Sequence, residues 1–511
     1  MFIILNKSEV KNMKQRKKIL VLISLLIGII FSELDETVVN TALPTIIKNF
    51  GGLSLYGWVS GIYMLTMTAF MPILGKLADL YGRKRIYIIC ISLFIGGSIV
   101  SGLAPSMQVL LIGRSLQGIG AGGLIPIAMV IVGDIFTVEE RAKLQGIFGA
   151  SMFIPQLLGP LIGGYFTQHI SWHWIFLINL PIGLLAVTLF FISFDESKIQ
   201  KEANIDWGGA FLLVGFIVSI LLTPVLHENQ GYAWNSPFIL ILFTVGSMLL
   251  VLFLYVEYNA KDPILPLQLF KNRTFIVLSL VVFTMMFSVM GAFSSFTFFA
   301  QNIMNMSPIK SGYITLPLMI GAVISSVVTG RLITKVPYRY MFVVLFLISA
   351  LGFYLMAGID FQTKSIVIIG YFIMIGLGFG VMLNNNLIIQ ESIPKEHSGI
   401  ALSSINLFQS LGMTIGLSIY SSLLSSQIIS SINKLKSNLF INRDDIFTQV
   451  TKGHIPDDLN TRLIEQLKSV FIHAFQHLYG VSFIASLVVI IFCLFLKNEI
   501  ISTLLSKENK D

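Results

Sequence analysis

Charge is scarce in this chain. Of its 511 residues only 12% are Asp, Glu, Lys or Arg, about half of the roughly 25% that a soluble domain carries. Hydrophobic residues make up 55%, and apolar runs of about 20 residues, long enough to cross about 30 Å of hydrocarbon, recur from end to end. A soluble protein is excluded. So is a β-barrel, whose strands would alternate over roughly 10 residues instead of running continuously apolar. Cysteine is scarcer still: Cys90 and Cys493 both lie inside apolar runs and read as small core residues, not as a disulfide. No Walker A lysine loop follows a strand, which argues against ATP-driven transport in cis. His169, His173, His227, His473 and His477 are scattered at outer loops and make no metal-ligand set. No catalytic constellation, cofactor site or metal site is expected, and the chain is not expected to be an enzyme.

What is present is an all-α polytopic membrane protein. Spans are expected near 19–44, 56–78, 86–104, 107–134, 142–166, 173–194, 206–226, 236–258, 274–301, 309–335, 339–358, 365–390, 398–427 and 474–496. That makes fourteen. The basic start KNMKQRKK leads into a run too long for a signal peptide, so the first span is expected to be uncleaved. With the N-terminus in the cytoplasm, short inner segments hold 24 Lys and Arg, while short outer loops hold only Lys48, Lys310 and Lys364. That bias places both termini inside and explains the net charge of +8 as topology rather than affinity for nucleic acid. All five tryptophans fall at expected helix ends, as an interfacial belt requires. In the long outer segment 428–473, Leu463, Leu467 and Val470 share one helical face. Both an amphipathic helix on the outer surface and a solvated loop fit that pattern.

GKLADLYGRKR (75–85) joins the second and third spans, and a fainter copy, GRLITKVPYRY (330–340), joins the tenth and eleventh. Gly75 corresponds to Gly330 and Arg83 to Arg339, whereas Thr334 and Pro337 replace Asp79 and Gly82. A duplicated chain follows: a cytoplasmic N-terminus (1–18), a six-helix half (19–194), two inserted helices with linkers (195–273), a second half (274–497) and a cytoplasmic tail (498–511). Repeats packed around a central site are how secondary transporters alternate their access.

Three carboxylates sit where a span should be. LDETVVNTALP (34–44) carries Asp35 and Glu36, with Glu33 just before it. An ionisable group at membrane depth costs about 2.5–3.5 kcal/mol on insertion scales, so it is kept there for a reason. Asp35 lies about 24 Å along the helix from Ile19, past the bilayer middle. At about 100° per residue Glu33 and Glu36 share a face, and Asp35 points elsewhere. LIGRSLQGIGAGG (111–123) places Arg114 well inside the fourth span, and PQLLGPLIGGYF (155–166) places Pro155, Gly159, Pro160, Gly163 and Gly164 in the fifth.

These four stretches resemble the motifs of the major facilitator superfamily, specifically its fourteen-spanning drug:proton antiporters, over nearly the whole length. LDETVVNTALP agrees with that family's first-helix motif at every fixed position. Pro155 replaces the first glycine of the fifth-helix antiporter motif. The resemblance implies the major facilitator fold, proton coupling at Asp35 with Arg114 beside the pathway, and a cytoplasmic latch of Gly75, Asp79, Gly82 and Arg83 with Asp134 and Arg141 as further partners. It also implies a bend at the fifth-helix motif. Read from the residues alone, Asp35 and Arg114 could equally form a permanent structural pair. Glu33 and Glu36 lie outside the motif's fixed positions; either they draw cations toward a pocket or they snorkel to the outer mouth.

For a substrate pocket the candidates are Tyr63, Phe283, Met286, Phe287, Met290, Asn384, Asn406 and Gln409, because aromatic faces attract organic cations and methionines adapt to shape. The tenth span has no interior acid, where some members of the resembled family carry one for dicationic drugs; the resemblance therefore implies monocationic, zwitterionic or neutral lipophilic substrates, unless Glu33 or Glu36 compensates. The implied function is a monomeric plasma-membrane antiporter that exports amphipathic drugs or toxic compounds on the proton gradient, with protons and membrane lipids as its other partners. A same-fold exporter of an endogenous metabolite, peptide or lipid is the alternative. A non-transporting receptor is a remoter one, since it would need a sensor domain.

Overall fold

The computed structural model describes residues 15–50, 56–195, 206–260, 262–302, 306, 308–360, 363–439 and 461–501. They form α1 (Gln15–Phe50), α2 (Tyr56–Tyr81), α3 (Arg83–Gly102), α4 (Met107–Ile135), α5 (Val138–His169), α6 (Asn179–Ser193), α7 (Trp207–Gln230), α8 (Pro237–Asn259), α9 (Arg273–Asn302), α10 (Pro308–Leu332), α11 (Tyr338–Met356), α12 (Ser365–Val381), α13 (Ser398–Leu439) and α14 (Thr461–Leu494). A single turn, Trp174–Leu177, precedes α6; a 3₁₀ turn, Met382–Asn384, and a short helix, Asn385–Ser392, follow α12. Among the described residues there is no strand.

Twelve of these helical stretches are long and apolar enough to cross a membrane, and α10 adds a shorter apolar stretch, Leu316–Leu332. The remaining helix, α1, is 36 residues long and holds Glu33, Asp35 and Glu36 in its middle. The set is compatible with fourteen spans. The segment 428–473 differs from a simple loop. Helix α13 runs through it to Leu439, and α14 already begins at Thr461. From Thr461 onward the expected surface helix is therefore the first turns of the last span, with Val470 buried. Residues 457–460 and the side chains of Leu463 and Leu467 lie outside the described residues.

Local chemistry sets the helix ends. Gly82, at φ 101°, turns the chain between α2 and α3, a conformation glycine adopts without Cβ strain. Thr137 and Glu140 form a reciprocal capping box at the start of α5, satisfying two orphan donors. Asp206 caps α7, and Gly231, at φ 70°, ends it.

Contacts divide the chain into two units: one of Met1–Ile276, Asn385–Phe408 and Ser502–Asp511, the other of Val277–Asn384 and Gln409–Ile501. In the first, α4 packs on α2 and α3 through glycines. A Cβ on Gly118 would lie 2.4 Å from the Tyr63 carbonyl oxygen, and one on Gly120 would lie 2.5 Å from that of Cys90. Gly159 and Gly163 bring α5 against α1, at Thr37 and Val38. The apolar core beside this contact includes Val38, Val39, Ile46, Met107, Trp172 and Phe176.

The second unit repeats the scheme. Gly376 and Gly380 bring α12 against the Leu318 and Ala322 carbonyls of α10, and Gly378 brings it against Ser349 of α11. Gly412 and Gly416 seat α13 on the Phe283 and Phe287 carbonyls of α9. The relation of α4 to α2 and α3 is thus that of α12 to α10 and α11, and the α1–α5 contact matches α9–α13. Both α5 and α13 make their contact through two glycines one turn apart, the small-residue spacing that lets membrane helices approach.

Candidate functional site

Asp35 is built into the centre of the first unit. Its Oδ1 accepts hydrogen bonds from Gln117 Nε2 at 2.9 Å and from Asn179 Nδ2 at 2.7 Å. Its Oδ2 accepts from Arg114 Nη1. Arg114 also donates from Nε to the Val59 carbonyl at 3.1 Å and from Nη1 to Gln117 Oε1 at 3.0 Å. Its guanidinium carbon lies 4.2 Å from the centroid of the Tyr63 ring, a cation–π geometry. Gln117 Nε2 donates to Ser98 Oγ at 2.8 Å, and Tyr63 donates to the Ser32 carbonyl at 3.2 Å. Five helices (α1, α2, α3, α4 and α6) converge on this ion pair.

The side chains of Asp35 and Arg114 are both 0% exposed. Taking two charges out of water costs several kcal/mol per ion, which is offset only when the remaining donors and acceptors are filled. Gln117 and Asn179 do that for the carboxylate, and Val59 and Gln117 do it for the guanidinium. Arg114 Nη2 has no hydrogen-bond partner among the described residues.

Gln117 and Asn179 were not singled out from the sequence. Each had a signal: Gln117 follows Arg114 by three positions, on the same helix face, and Asn179 is a lone amide in the apolar run IFLINLPIGLL.

Glu33 and Glu36 are half-buried and leave α1 about 100° or more around the helix from Asp35, yet Glu36 stays within electrostatic reach of Arg114 and Asp35. Asn40, one turn further along their face, is exposed and accepts a hydrogen bond from Ser60 Oγ at 2.6 Å.

At the other end of α2, Asp79 accepts from the backbone N–H of Gly399 at 3.1 Å and of Ile400 at 2.9 Å. It thereby caps the first turn of α13, where the helix dipole favours an anion. Arg83 lies 3.8 Å from Asp79 and 3.3 Å from Asp134. A Cβ on Gly75 would fall 2.7 Å from the Gly399 carbonyl, so α2 and α13 touch directly there. Arg141 does not join the Arg83 cluster. It donates to Gln390 Oε1 at 2.6 Å and to Glu391, while Gln390 donates to the Met129 carbonyl at 2.6 Å.

The fifth-helix motif serves the α1 contact. Helix α5 runs unbroken from Val138 to His169 with Pro155 and Pro160 inside it. The Pro155 carbonyl accepts from Thr37 Oγ1 at 3.0 Å, and Gly164 faces open space.

The pocket candidates separate. Tyr63 belongs to the ion-pair network. In the second unit Phe283, Phe287 and Met290 are half-buried on α9, and Met286 is 4% exposed and packs inside. Phe287 meets Tyr420 edge to face at 5.5 Å. Asn384, fully buried, donates to Thr329 Oγ1 at 2.7 Å. Asn406 and Gln409 fall on opposite sides of the unit boundary within α13.

An all-helical, twice-repeated bundle with a charge pair sealed in one repeat defines a polytopic membrane protein of the secondary-transporter type. Residues 25–417 match the model of the Major Facilitator Superfamily, and the chain belongs to that family. It is 40% identical over 418 residues to the multidrug transporter protein MdtP of Bacillus subtilis, covering 82% of this chain and 77% of that one. It is 35% identical over 480 residues to multidrug resistance protein 3 of the same species, covering 90% and 92%. Among solved structures, the human organic anion transporter MFSD10 (TETRAN) superposes with a TM-score of 0.59 at 12% identity over 93% of this chain and all of that one. The proton:xylose symporter XylE does so with a TM-score of 0.57 at 13% identity over 91% and 94%. At those identities the likeness concerns the fold.

Proposed function

We propose that the chain is a proton-coupled antiporter of the plasma membrane that exports amphipathic cationic, zwitterionic or neutral compounds, with both termini in the cytoplasm. The observation that carries this reading is the sealed Asp35–Arg114 pair, an ionisable group held where only a change of conformation exposes it. The names of the two Bacillus subtilis relatives support drugs and toxic compounds as cargo. In the proposed cycle the carboxylate leaves Arg114, takes a proton from outside and returns it inside, while Asp79 and Arg83 hold and release the start of α13. One charge crossing 100 mV yields about 2.3 kcal/mol, and a tenfold proton gradient adds about 1.4 kcal/mol. Together they sustain a substrate gradient of more than about a hundredfold at one proton per neutral substrate.

The zero exposure of Asp35 favours a second reading, in which the pair is permanent structure and the half-buried Glu33 and Glu36 handle the charge. Proton-coupled dye efflux in reconstituted vesicles decides between them. Under the first reading Asp35→Asn abolishes coupling and Glu33→Gln/Glu36→Gln retains it. Unchanged coupling in a folded Asp35→Asn protein removes Asp35 from the mechanism.

A further inference from the structure

The connection between α12 and α13 is gripped at three points, of which the cycle above uses one. Asp79 of α2 holds the N–H groups of Gly399 and Ile400, and Arg141 of α5 holds Gln390 and Glu391. Between these points lies Ser392, the last residue of the short helix Asn385–Ser392. Its hydroxyl turns back to the Ile388 carbonyl at 2.7 Å. Its own carbonyl belongs to the orphan acceptors that a helix leaves at its C-terminal end. Asn272 Nδ2 donates to that carbonyl at 2.7 Å. The same side chain has a second task. Its Oδ1 accepts the N–H groups of Thr274 at 3.0 Å and Phe275 at 3.3 Å, and its backbone carbonyl accepts that of Ile276 at 3.1 Å, so Asn272 is the N-cap of α9. One amide thus closes two helix ends, its oxygen serving the start of α9 and its nitrogen the end of Asn385–Ser392. An aspartate would cap α9 as well, but a carboxylate only accepts hydrogen bonds and would meet the Ser392 carbonyl oxygen to oxygen.

The chain that leads from α8 to Asn272 is itself fixed. Glu257 Oε1, in the last turn of α8, accepts the N–H groups of Ile264 at 3.1 Å and Leu265 at 3.3 Å. Ile264, Leu265 and Leu269 are buried. A 3₁₀ helix, Leu267–Lys271, follows, with bonds from the Leu269 N–H to the Pro266 carbonyl at 2.9 Å and from the Asn272 N–H to the Leu269 carbonyl at 3.0 Å. A connector pinned at both ends and packed between them passes a displacement on more readily than a solvated loop does. We propose that Asn272 is a positioning residue of the transport cycle. It ties the segment Gln390–Ile400 to the start of α9, so that release of α13 by Asp79 and loosening of the α8–α9 strap are one event. The proposal rests on the reading that the Asp79 contact opens during transport; it does not depend on which carboxylate carries the proton.

Hydrogen exchange of the full-length protein in lipid nanodiscs tests the linkage. Asn272→Asp keeps the acceptor that caps α9 and removes the donor to Ser392. Peptides covering Gly399 and Ile400, which Asn272 does not bond, are expected to exchange roughly three- to tenfold faster, the range set by one lost hydrogen bond. Peptides covering Thr274 and Phe275 stay as slow as in the wild type. Coupling is reciprocal, so Asp79→Asn should quicken exchange at Thr274 and Phe275 at least about twofold. Adding Asp79→Asn to Asn272→Asp should leave exchange there unchanged, because the tie is already cut. Asn259→Ala, at the exposed end of α8, changes none of these rates. Should Asn272→Asp not fold, Asn272→Ser takes its place, since serine also caps a helix but is too short to bridge to Ser392. Wild-type exchange at Gly399 and Ile400 in the folded variant overturns the proposal. So does an effect of Asp79→Asn on Thr274 and Phe275 that persists in the double variant. Exchange needs no transport: absence of proton-coupled efflux in the wild type would end the antiporter reading and leave the linkage standing, whereas efflux with uncoupled exchange would do the reverse.

Discussion

Arg114 donates to Asp35 with neither side chain exposed to solvent. Removing either charge alone strands the other, at a cost of about 3–5 kcal/mol. Arg114→Met is therefore expected to lower the melting temperature in nanodiscs sharply. The double variant Arg114→Met/Asp35→Asn is expected to recover much of that loss, because no uncompensated charge remains. A double variant less stable than the worse single one would show that the network is held by more than charge balance.

Glu33 and Glu36 make no hydrogen bond or ion pair among the described residues. Changing each to Gln should alter stability by no more than about 0.5 kcal/mol. If their shared face meets substrate, the same changes weaken binding of a permanent organic cation several-fold and leave a neutral dye unaffected. Equal effects on both ligands would reduce the two acids to solvated side chains.

Glycines of one helix give an internal control. A Cβ on Gly376 would fall 2.0 Å from the Leu318 carbonyl, whereas one on Gly370 meets nothing within 4 Å. Gly376→Ala forces backbone apart and is expected to cost about 1–3 kcal/mol. Gly370→Ala should be neutral or stabilising by up to about 1 kcal/mol, the helix-propensity gain. Thermal unfolding of the two variants side by side checks the prediction.

Arg141 and Glu391 are 7% and 6% exposed at their side chains. Arg141→Met leaves Glu391 buried without its cation, so the segment Asn385–Ser392 should loosen. Hydrogen exchange there is expected to quicken relative to α2, and Arg141→Met/Glu391→Gln should restore part of the protection. Unaltered exchange in Arg141→Met would mean that the segment is held by packing alone.

Lys17 pairs with Asp195 at 2.7 Å, tying the start of α1 to the end of α6. The hydrogen bond from the Lys17 ammonium holds the Asp195 carboxyl below its ordinary range. A carboxyl depressed in the folded state contributes its stability above its unfolded value and loses it as pH falls through the folded one. The pair is exposed, at 46% and 70%, so the effect is at most about 1 kcal/mol. The melting-temperature gap between wild type and Asp195→Asn should be small at neutral pH and close under acid conditions below the usual carboxylate range.

Much of this architecture could be read along the chain. Solvent quality dictates it: lipid admits a polypeptide only as closed helices, so run lengths foretold the all-helical bundle. The echo between 75–85 and 330–340 pointed to a repeat, and α4 and α12 each pack on two neighbouring helices through glycines. Asp35 and Arg114 stood out because charge in oil is expensive. Their amide partners did not, because Gln117 and Asn179 are cheap enough to pass for packing. The extension of α14 to Thr461 was hidden because polarity and helix coexist outside the membrane. Arg141, expected beside the Arg83 cluster, pairs instead with Glu391, 250 residues away.

One-dimensional information was enough for membrane residence, the all-helical class and the residues too costly to be accidental, since each is a cost incurred at a single position or along a single run. Which of those residues face one another is a different kind of fact. That Asp35 binds Arg114 and that Asp79 caps a helix more than 300 positions later both depend on how helices rotate and pack. Rotation and packing are settled by many small contacts at once, and no local stretch of sequence contains them.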